Sequence, residues 1–447
     1  GADSGHARVY EYNSGTSTWS VLGNDLDGEY AGDNFGVQVE MNDDGSRVSV
    51  VSNLNDDGYT DAGHIRLFDY NNIQQTWTKI NVDLDGNSTD DVLPFQMSGD
   101  GKVIALGLNN AKKTQTYLIE KVINDYTKTP ISSSGFNEIT VNNVNDFGST
   151  TQLTTGLSLY TELSNVRISG SSTSEKQFAL TSDGRSMAVS TYDFSESNGE
   201  YYASSNNIGV VRVYGITLNS SDEIDVSSVW VQRGQDIVGE SSNDESGRSI
   251  SISSNGFVVA IGAPNNDGVY GTDTGHVRVY EYSSNMRQWV QKGNDIEGGS
   301  AYDLAGGEVE LSQDGNTVAI MITKYDSNIA SDVGKVVVYD YTNYMWIARV
   351  PNHKSVDMIG SDNFSLDTDT TYGSGKRIFL SSDTKTIGLG WTGLGSSTYT
   401  GADGITAVDT SNATFMSLYS ESAYDNTIQL TNTLDIGNFE LEDVSGD

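Results

Sequence analysis

The stretch GHVRVYEY, residues 275–282, is one copy of a set: GHARVYEY begins at Gly5, GHIRLFDY at Gly63, GVVRVYGI at Gly209, GKVVVYDY at Gly334 and a worn GITAVDTS at Gly404. Successive copies start 58, 66, 59 and 70 residues apart, and the 146 residues from Gly63 to Gly209 hold two periods and an insertion. A period near sixty residues is the mark of a repeat architecture, in which each unit buries its apolar face only against its neighbours.

Upstream of Gly275, residues 249–253 alternate like a strand, Asn255-Gly256 reads as a two-residue hairpin turn, and residues 257–261 return as a second strand. After a loop at 265–274 come a third strand, 277–282, and a fourth, 288–292. Four antiparallel strands make one propeller blade. The first turn recurs as Asp44-Gly45, Asp100-Gly101, Asp183-Gly184, Asp314-Gly315 and a weakened Asp383-Thr384. The second hairpin recurs with a ring on its return strand: Trp19, Trp77, Trp230, Trp289 and Trp346, with Tyr126 and Phe415 as stand-ins. A ring repeated once per blade is expected to pack between blades.

Six first hairpins stand against seven second ones. The chain opens with a second hairpin, 7–22, and ends with a strand pair, about 427–430 and 439–444, that lacks its second half. The expected fold is therefore all-β: a single seven-bladed β-propeller over 1–447, with four-stranded antiparallel blades, closed by pairing the N-terminal and C-terminal hairpins. Complete blades are expected at about 36–80, 93–131, 176–234, 246–293, 307–350 and 375–420. Residues 132–175, rich in Ser, Thr and Asn, read as an insertion with an added hairpin near 157–163. Strand exchange through 7–22 would turn closure into polymerisation, but ends of one chain meet at high effective concentration, which favours closure within the chain.

Phe35-Gly36 before a first strand and Gly262-Ala263-Pro264 after a second resemble the two halves of the FG-GAP repeat of integrin alpha N-terminal propellers. The wider pattern, SISSNGFVVAIGAPNNDG followed by GHVRVYEY and a tryptophan, is similar to repeats in secreted and surface propellers of algae, other microbial eukaryotes and bacteria. The resemblance implies a propeller and leaves activity open. FG-GAP repeats often carry a D-x-D-x-D-G calcium loop between the first two strands; tight turns in that place here do not supply calcium's six to eight oxygens.

With 61 acidic and 25 basic residues the formal charge is −36, which repels phosphate backbones and argues against a nucleic-acid partner. Glycine at 48 residues and proline at 4 suit many short strands joined by glycine turns. No cysteine means no disulfide, thiol nucleophile or thiolate metal site. No apolar stretch reaches the ~18 residues of a membrane span, and the numbering starts inside a repeat, as in a processed or trimmed chain.

Metal-binding candidates are the carboxylates of Asp25, Asp27, Asp83 and Asp85, spaced two apart in glycine turns where they could face one calcium ion; Asp33 and the Asp295-Ile296-Glu297-Gly298 turn are of the same kind. His6, His64 and His276 share one repeat position and read as a structural hydrogen bond in each blade. Sequons stand at Asn87, Asn219, Asn363 and Asn412 and imply N-linked glycans in a secreted chain. No catalytic spacing is found. The expectation is a non-catalytic extracellular structural or adhesive module, not an enzyme, whose partners are itself, other extracellular proteins or glycans. Alternatives are a carbohydrate-binding or carbohydrate-active propeller and an integrin-like, calcium-dependent receptor head.

Overall fold

Strands Val258–Ala263 and Thr317–Ile322 are buried at every position in the computed structural model. Alternation is absent because each is the second strand of a blade covered on both faces by neighbouring blades, which demands an unbroken apolar run. The structure describes residues 4–13, 15–16, 18–56, 59–80, 83–86, 95–108, 113–123, 153–164, 178–191, 194–197, 200–203, 208–222, 224, 228, 230–326, 334–349, 358–359, 364–365, 378–381, 384–393, 398–400, 406–408, 414–421 and 428–435. Every regular element among them is a strand, and no helix there is long and apolar enough to cross a membrane.

Six sheets follow one another. The first runs Phe35–Met41, Arg47–Ser52, His64–Asn71, Thr76–Lys79; the fourth runs Ser249–Ile252, Val258–Ala263, His276–Ser283, Gln288–Gln291; the fifth repeats the order from Ala305–Leu311 to Met345–Ala348. In the third, Phe178–Leu180 leads through Ser186–Thr191 and Val210–Ile216 to Trp230–Gln232. Inner strands of consecutive sheets lie side by side, giving a β-propeller arrangement of antiparallel blades. The N-terminal hairpin is present as Tyr10–Asn13 paired with Thr18–Val21, and it packs on the first sheet.

Apolar burial is divided among the blade junctions. Val51, Leu67, Phe95 and Ile104 fill the junction of the first and second sheets; Val213, Ile250, Val259 and Trp289 fill that of the third and fourth. The rings behave as the sequence implies. Trp77, Trp289 and Trp346 each donate an indole N–H to a backbone carbonyl of the preceding blade, those of Leu22 (2.8 Å), Arg233 (2.6 Å) and Lys292 (2.6 Å). Tyr126 lies outside the described residues.

The opening motif's glycine is explained by the same joint. Gly275 has φ +68, and a Cβ there would stand 2.3 Å from the Ala305 carbonyl oxygen of the next inner strand; at Gly5, φ +73, the same atom would meet Phe35 at 2.1 Å. Only a residue without a side chain fits a left-handed backbone this close to another chain segment. On the opposite face, Arg233 donates to the Gly256 carbonyl (2.6 Å), Lys292 to Gly315 (3.0 Å) and Arg349 to Thr384 (2.7 Å), each reaching the first turn of the following blade.

Four expectations need correction. The first turns have four residues, not two: Ser312 pairs with Thr317, Gly315 takes φ +71, and Asp314 Oδ1 accepts from Ser312 Oγ (2.6 Å) and Asn316 N (3.0 Å). The second blade does not end at 131. Its outer strand is Leu153–Ser164, which pairs with Lys113–Ile123, so the stretch read as an added hairpin completes the blade. In the last sheet, Thr414–Glu421 and not GITAVDTS is the third strand; Thr406–Val408 pairs in a side hairpin with Thr398–Thr400, and Phe415 sits on the third strand. Its sequence TFMSLYSE carries four large apolar or aromatic residues, Phe415, Met416, Leu418 and Tyr419, where GITAVDTS carries only Ile405 and Val408. Finally, Ile428–Asp435 is the outer strand of that sixth sheet rather than the start of a seventh blade. Residues 439–444 lie outside the described residues, and among those described no ladder joins the two ends of the chain.

Gly275→Ala is expected to lower unfolding free energy by about 2 kcal/mol or more, from the left-handed φ plus the backbone clash. Gly32→Ala, at φ +91 with nothing within 4 Å, is expected to cost only about 1 kcal/mol. Urea titration of both variants checks the difference. The Asp340 carboxyl is raised by burial but lowered further by its bonds to Arg349, for a net depression. A depressed folded value means its stabilisation is full above about pH 4 and is lost as pH falls below that. Asp340→Asn should therefore differ most from the parent at neutral pH, with urea midpoints converging in acid.

Candidate functional site

Behind the N-terminal hairpin and the outer strands of the first, third, fourth and fifth sheets the chain doubles back to pair with the start of the third strand. The register sets His6 against Asp27, His64 against Asp85, Val210 against Val238 and His276 against Glu297. This hairpin return brings the Asp-x-Asp/Glu turn beside the His-x-Arg of the repeat. Arg8 clasps Asp25 at 2.7 and 2.8 Å, Arg212 clasps Asp236 at 2.9 and 2.8 Å, and Arg278 meets Asp295 at 2.8 Å.

Two blades add a glutamate from the blade before. Asp-x-x-Gly-Glu occurs as Asp25 to Glu29 and as Asp236 to Glu240, each one blade ahead of a Gly-His-x-Arg. Ligand atoms of Glu29, His64 and Asp83 lie within 4.8 Å of one another, and so do those of Glu240, His276 and Asp295. These clusters sit on the face made by the second-to-third-strand and blade-to-blade connections, opposite the Asp-Gly turns.

The two clusters differ in charge balance. In the first, Lys79 bridges Glu29 (3.0 Å) and Asp83 (2.8 Å), while the buried Arg66 reaches Glu29 (3.2 Å) and the Asp27 carbonyl (2.7 Å) and lies over the Phe35 ring. In the second, Gln291 occupies the repeat position of Lys79 and donates to Asp295, so Arg278 alone faces Glu240, Asp295 and the neighbouring Glu297. Burial lowers the His276 imidazole to about 4, helped by Arg278, and it lowers His64 as well. Burial would raise Asp295, yet its bonds to Arg278 hold it below the carboxylate range; Glu297 is pushed up by burial and by the Asp295 charge. Burial pulls the Arg66 guanidinium down, whereas at Arg278 the bonds to Asp295 and Glu240 outweigh burial and push it up. The fourth-blade cluster thus holds surplus negative charge.

Of the four metal candidates, Asp83 alone belongs to such a group among the described residues; Asp25 is engaged by Arg8, and the Asp27 and Asp85 positions are exposed. The histidine reading is corrected at His64. It is fully buried, and neither ring nitrogen has a hydrogen-bond partner among the described residues, so it makes no structural hydrogen bond of the expected kind. Glu29 and Glu240 were legible only as the doubled Asp-x-x-Gly-Glu. Asn219 stands in a turn where its Oδ1 accepts from Ser221 N (2.8 Å); Asn87, Asn363 and Asn412 lie outside the described residues.

Exposed rings stand in the same loops. Tyr30 and Tyr59 flank the first cluster's segments, and Tyr270 and Tyr302 those of the second, the latter two 60% and 61% exposed. Their loops are tied together, Tyr302 N donating to Thr272 O (2.8 Å) and Leu304 N to Asp273 O (3.2 Å).

No protein-family model matches the chain, and no curated protein does. The FG-GAP resemblance therefore rests on the quoted residues alone. Among solved structures, the periplasmic gluconolactonase of Pseudomonas aeruginosa is similar at 11% identity, TM-score 0.49, over 96% of this chain and 92% of its own. A provisionally named 6-phosphogluconolactonase of Bacteroides uniformis gives 10%, 0.49, 96% and 92%. The WD40 domain of Toxoplasma gondii coronin gives 10%, 0.41, 89% and 70%. At this distance no residue role passes from them to this chain. One expectation is nonetheless corrected. The chain was expected to be a non-catalytic module and not an enzyme because it lacks a recognisable catalytic spacing. The solved chains just described include ones named as lactonases, and the lack of a recognisable spacing is an absence that excludes no activity, so that expectation is withdrawn.

Arg66→Met is expected to cost about 2 kcal/mol, since it removes the donor to the Asp27 carbonyl and the packing over the Phe35 ring while Lys79 still pairs Glu29. Arg8→Met, at an exposed pair, should cost under about 1 kcal/mol. Chemical denaturation of the two variants measures the gap.

Proposed function

We propose that the protein is a carbohydrate-directed propeller that binds and turns over a sugar-derived substrate on the face bearing the two His–carboxylate clusters, with the fourth blade as its centre. The observation that carries this is the pairing of exposed Tyr270 and Tyr302 with the loops that lead into Glu297 and His276. Sugars offer apolar C–H faces that cover aromatic rings and hydroxyls that both donate and accept. Carboxylates of Glu240, Asp295 and Glu297 accept from such hydroxyls, and Arg278 and Gln291 donate. Carboxyl groups in one cleft are also the equipment of glycosyl hydrolysis.

The formal charge of −36 narrows the substrate class. A polyanionic sugar, phosphorylated or sulfated, is repelled by such a surface, so a neutral or amino sugar is the better fit. An FG-GAP-like repeat and a secreted, Asn219-glycosylated chain belong to the same reading, supported by the residues quoted above.

Neutral oligosaccharides, amino-sugar oligomers and sugar lactones, incubated with the full chain and resolved by chromatography, test the proposal. At least one member is expected to be bound and converted. The double variant Tyr270→Ala, Tyr302→Ala should bind it about tenfold more weakly, roughly 1.4 kcal/mol, at an unchanged melting temperature. Failure of every member to bind, or full affinity in the double variant, overturns the reading.

A further inference from the structure

We infer that the Glu–His–Asp triads of the first and fourth blades are repeat-related cation sites, one filled by the protein's own Lys79 and the other open to a divalent first-row transition ion. The ion site stands whether or not the carbohydrate reading does.

Both triads offer a mixed nitrogen and oxygen donor set, one imidazole and two carboxylates with their ligand atoms within 4.8 Å. Such a set suits zinc-class ions better than calcium, which prefers oxygen alone. Orphaned donors point the same way. His64 is fully buried with both nitrogens unpartnered, and Asp83 Oδ1 beside it is unpartnered too. In the fourth blade His276 is 4% exposed, and the buried Oε2 of Glu297, whose residue pairs with His276 across the strands, has no partner among the described residues. Buried donors left unmatched are costly, and a bound ion would satisfy several at once.

The lysine separates the two. Lys79 and Gln291 occupy equivalent register positions, opposite Phe68 and Tyr280, each four residues after the repeat histidine. Lys79 spans Glu29 and Asp83 as a built-in cation, and with Arg66 it balances both carboxylates. Gln291 brings no charge. Glu240, Asp295 and Glu297 then outnumber Arg278 three to one, which leaves room for two further positive charges.

Reciprocal exchange of the two residues tests this. The full chain is stripped with chelator, and zinc or cobalt chloride is titrated in by calorimetry, with cobalt also followed by its visible absorption. The parent is expected to take up one ion. Gln291→Lys, an exposed substitution that copies the first blade, should weaken binding at least about a hundredfold, as should Asp295→Asn. Lys79→Gln should raise the stoichiometry to two. No uptake by the parent, undiminished uptake by Gln291→Lys with an unchanged melting curve, or a single ion in a folded Lys79→Gln would each overturn the inference.

Discussion

Everything in this molecule depends on how closely one blade can approach the next. The left-handed glycines Gly5, Gly209 and Gly275 have room for a hydrogen and nothing more, because backbone at or just before the following inner strand lies against them. That approach brings the indole N–H groups within reach of carbonyls on the preceding blade and aligns Arg233, Lys292 and Arg349 with the turns ahead. Apolar burial then follows, divided into separate junction cores instead of one centre.

Much of this joint could be read in the sequence, for a physical reason. The left-handed glycines, the Asp-Gly or Asn-Gly turns and the tryptophans are each fixed by a specific contact, so they survive repetition and mark the first, third, fourth and fifth sheets. An outer strand without its tryptophan offers no such mark. Leu153–Ser164 shows it: with Thr, Ser and Gly at half of its twelve positions and no tryptophan, it does not announce its partner 30 residues upstream. The sixth sheet fails similarly, where the repeat motif had decayed and Thr414–Glu421 holds the large apolar residues without the motif.

The site was less legible than the fold. Paired aspartates drew attention to Asp25, Asp27, Asp83 and Asp85, yet Asp25 is held by Arg8 and Asp83 by Lys79, while Asp27 and Asp85 lie exposed, so neither pair converges on one point. Convergence comes across the blade boundary, from Glu29 to His64 and from Glu240 to His276, pairs 35 and 36 residues apart. No local window contains both members. Charge at a junction is thus set by two repeats at once, and replacing Lys79 by its counterpart Gln291 changes the balance without touching the backbone.

The fourth blade carries both halves of the joint, a glycine and cation to offer forward and an inner strand and turn to receive from behind. A duplicated blade would therefore arrive already fitted to its parent on either side. Growth of the array by copying needs no fresh interface to evolve, and later divergence can be confined to side chains outside the glycine joint, as the Lys79 and Gln291 blades record.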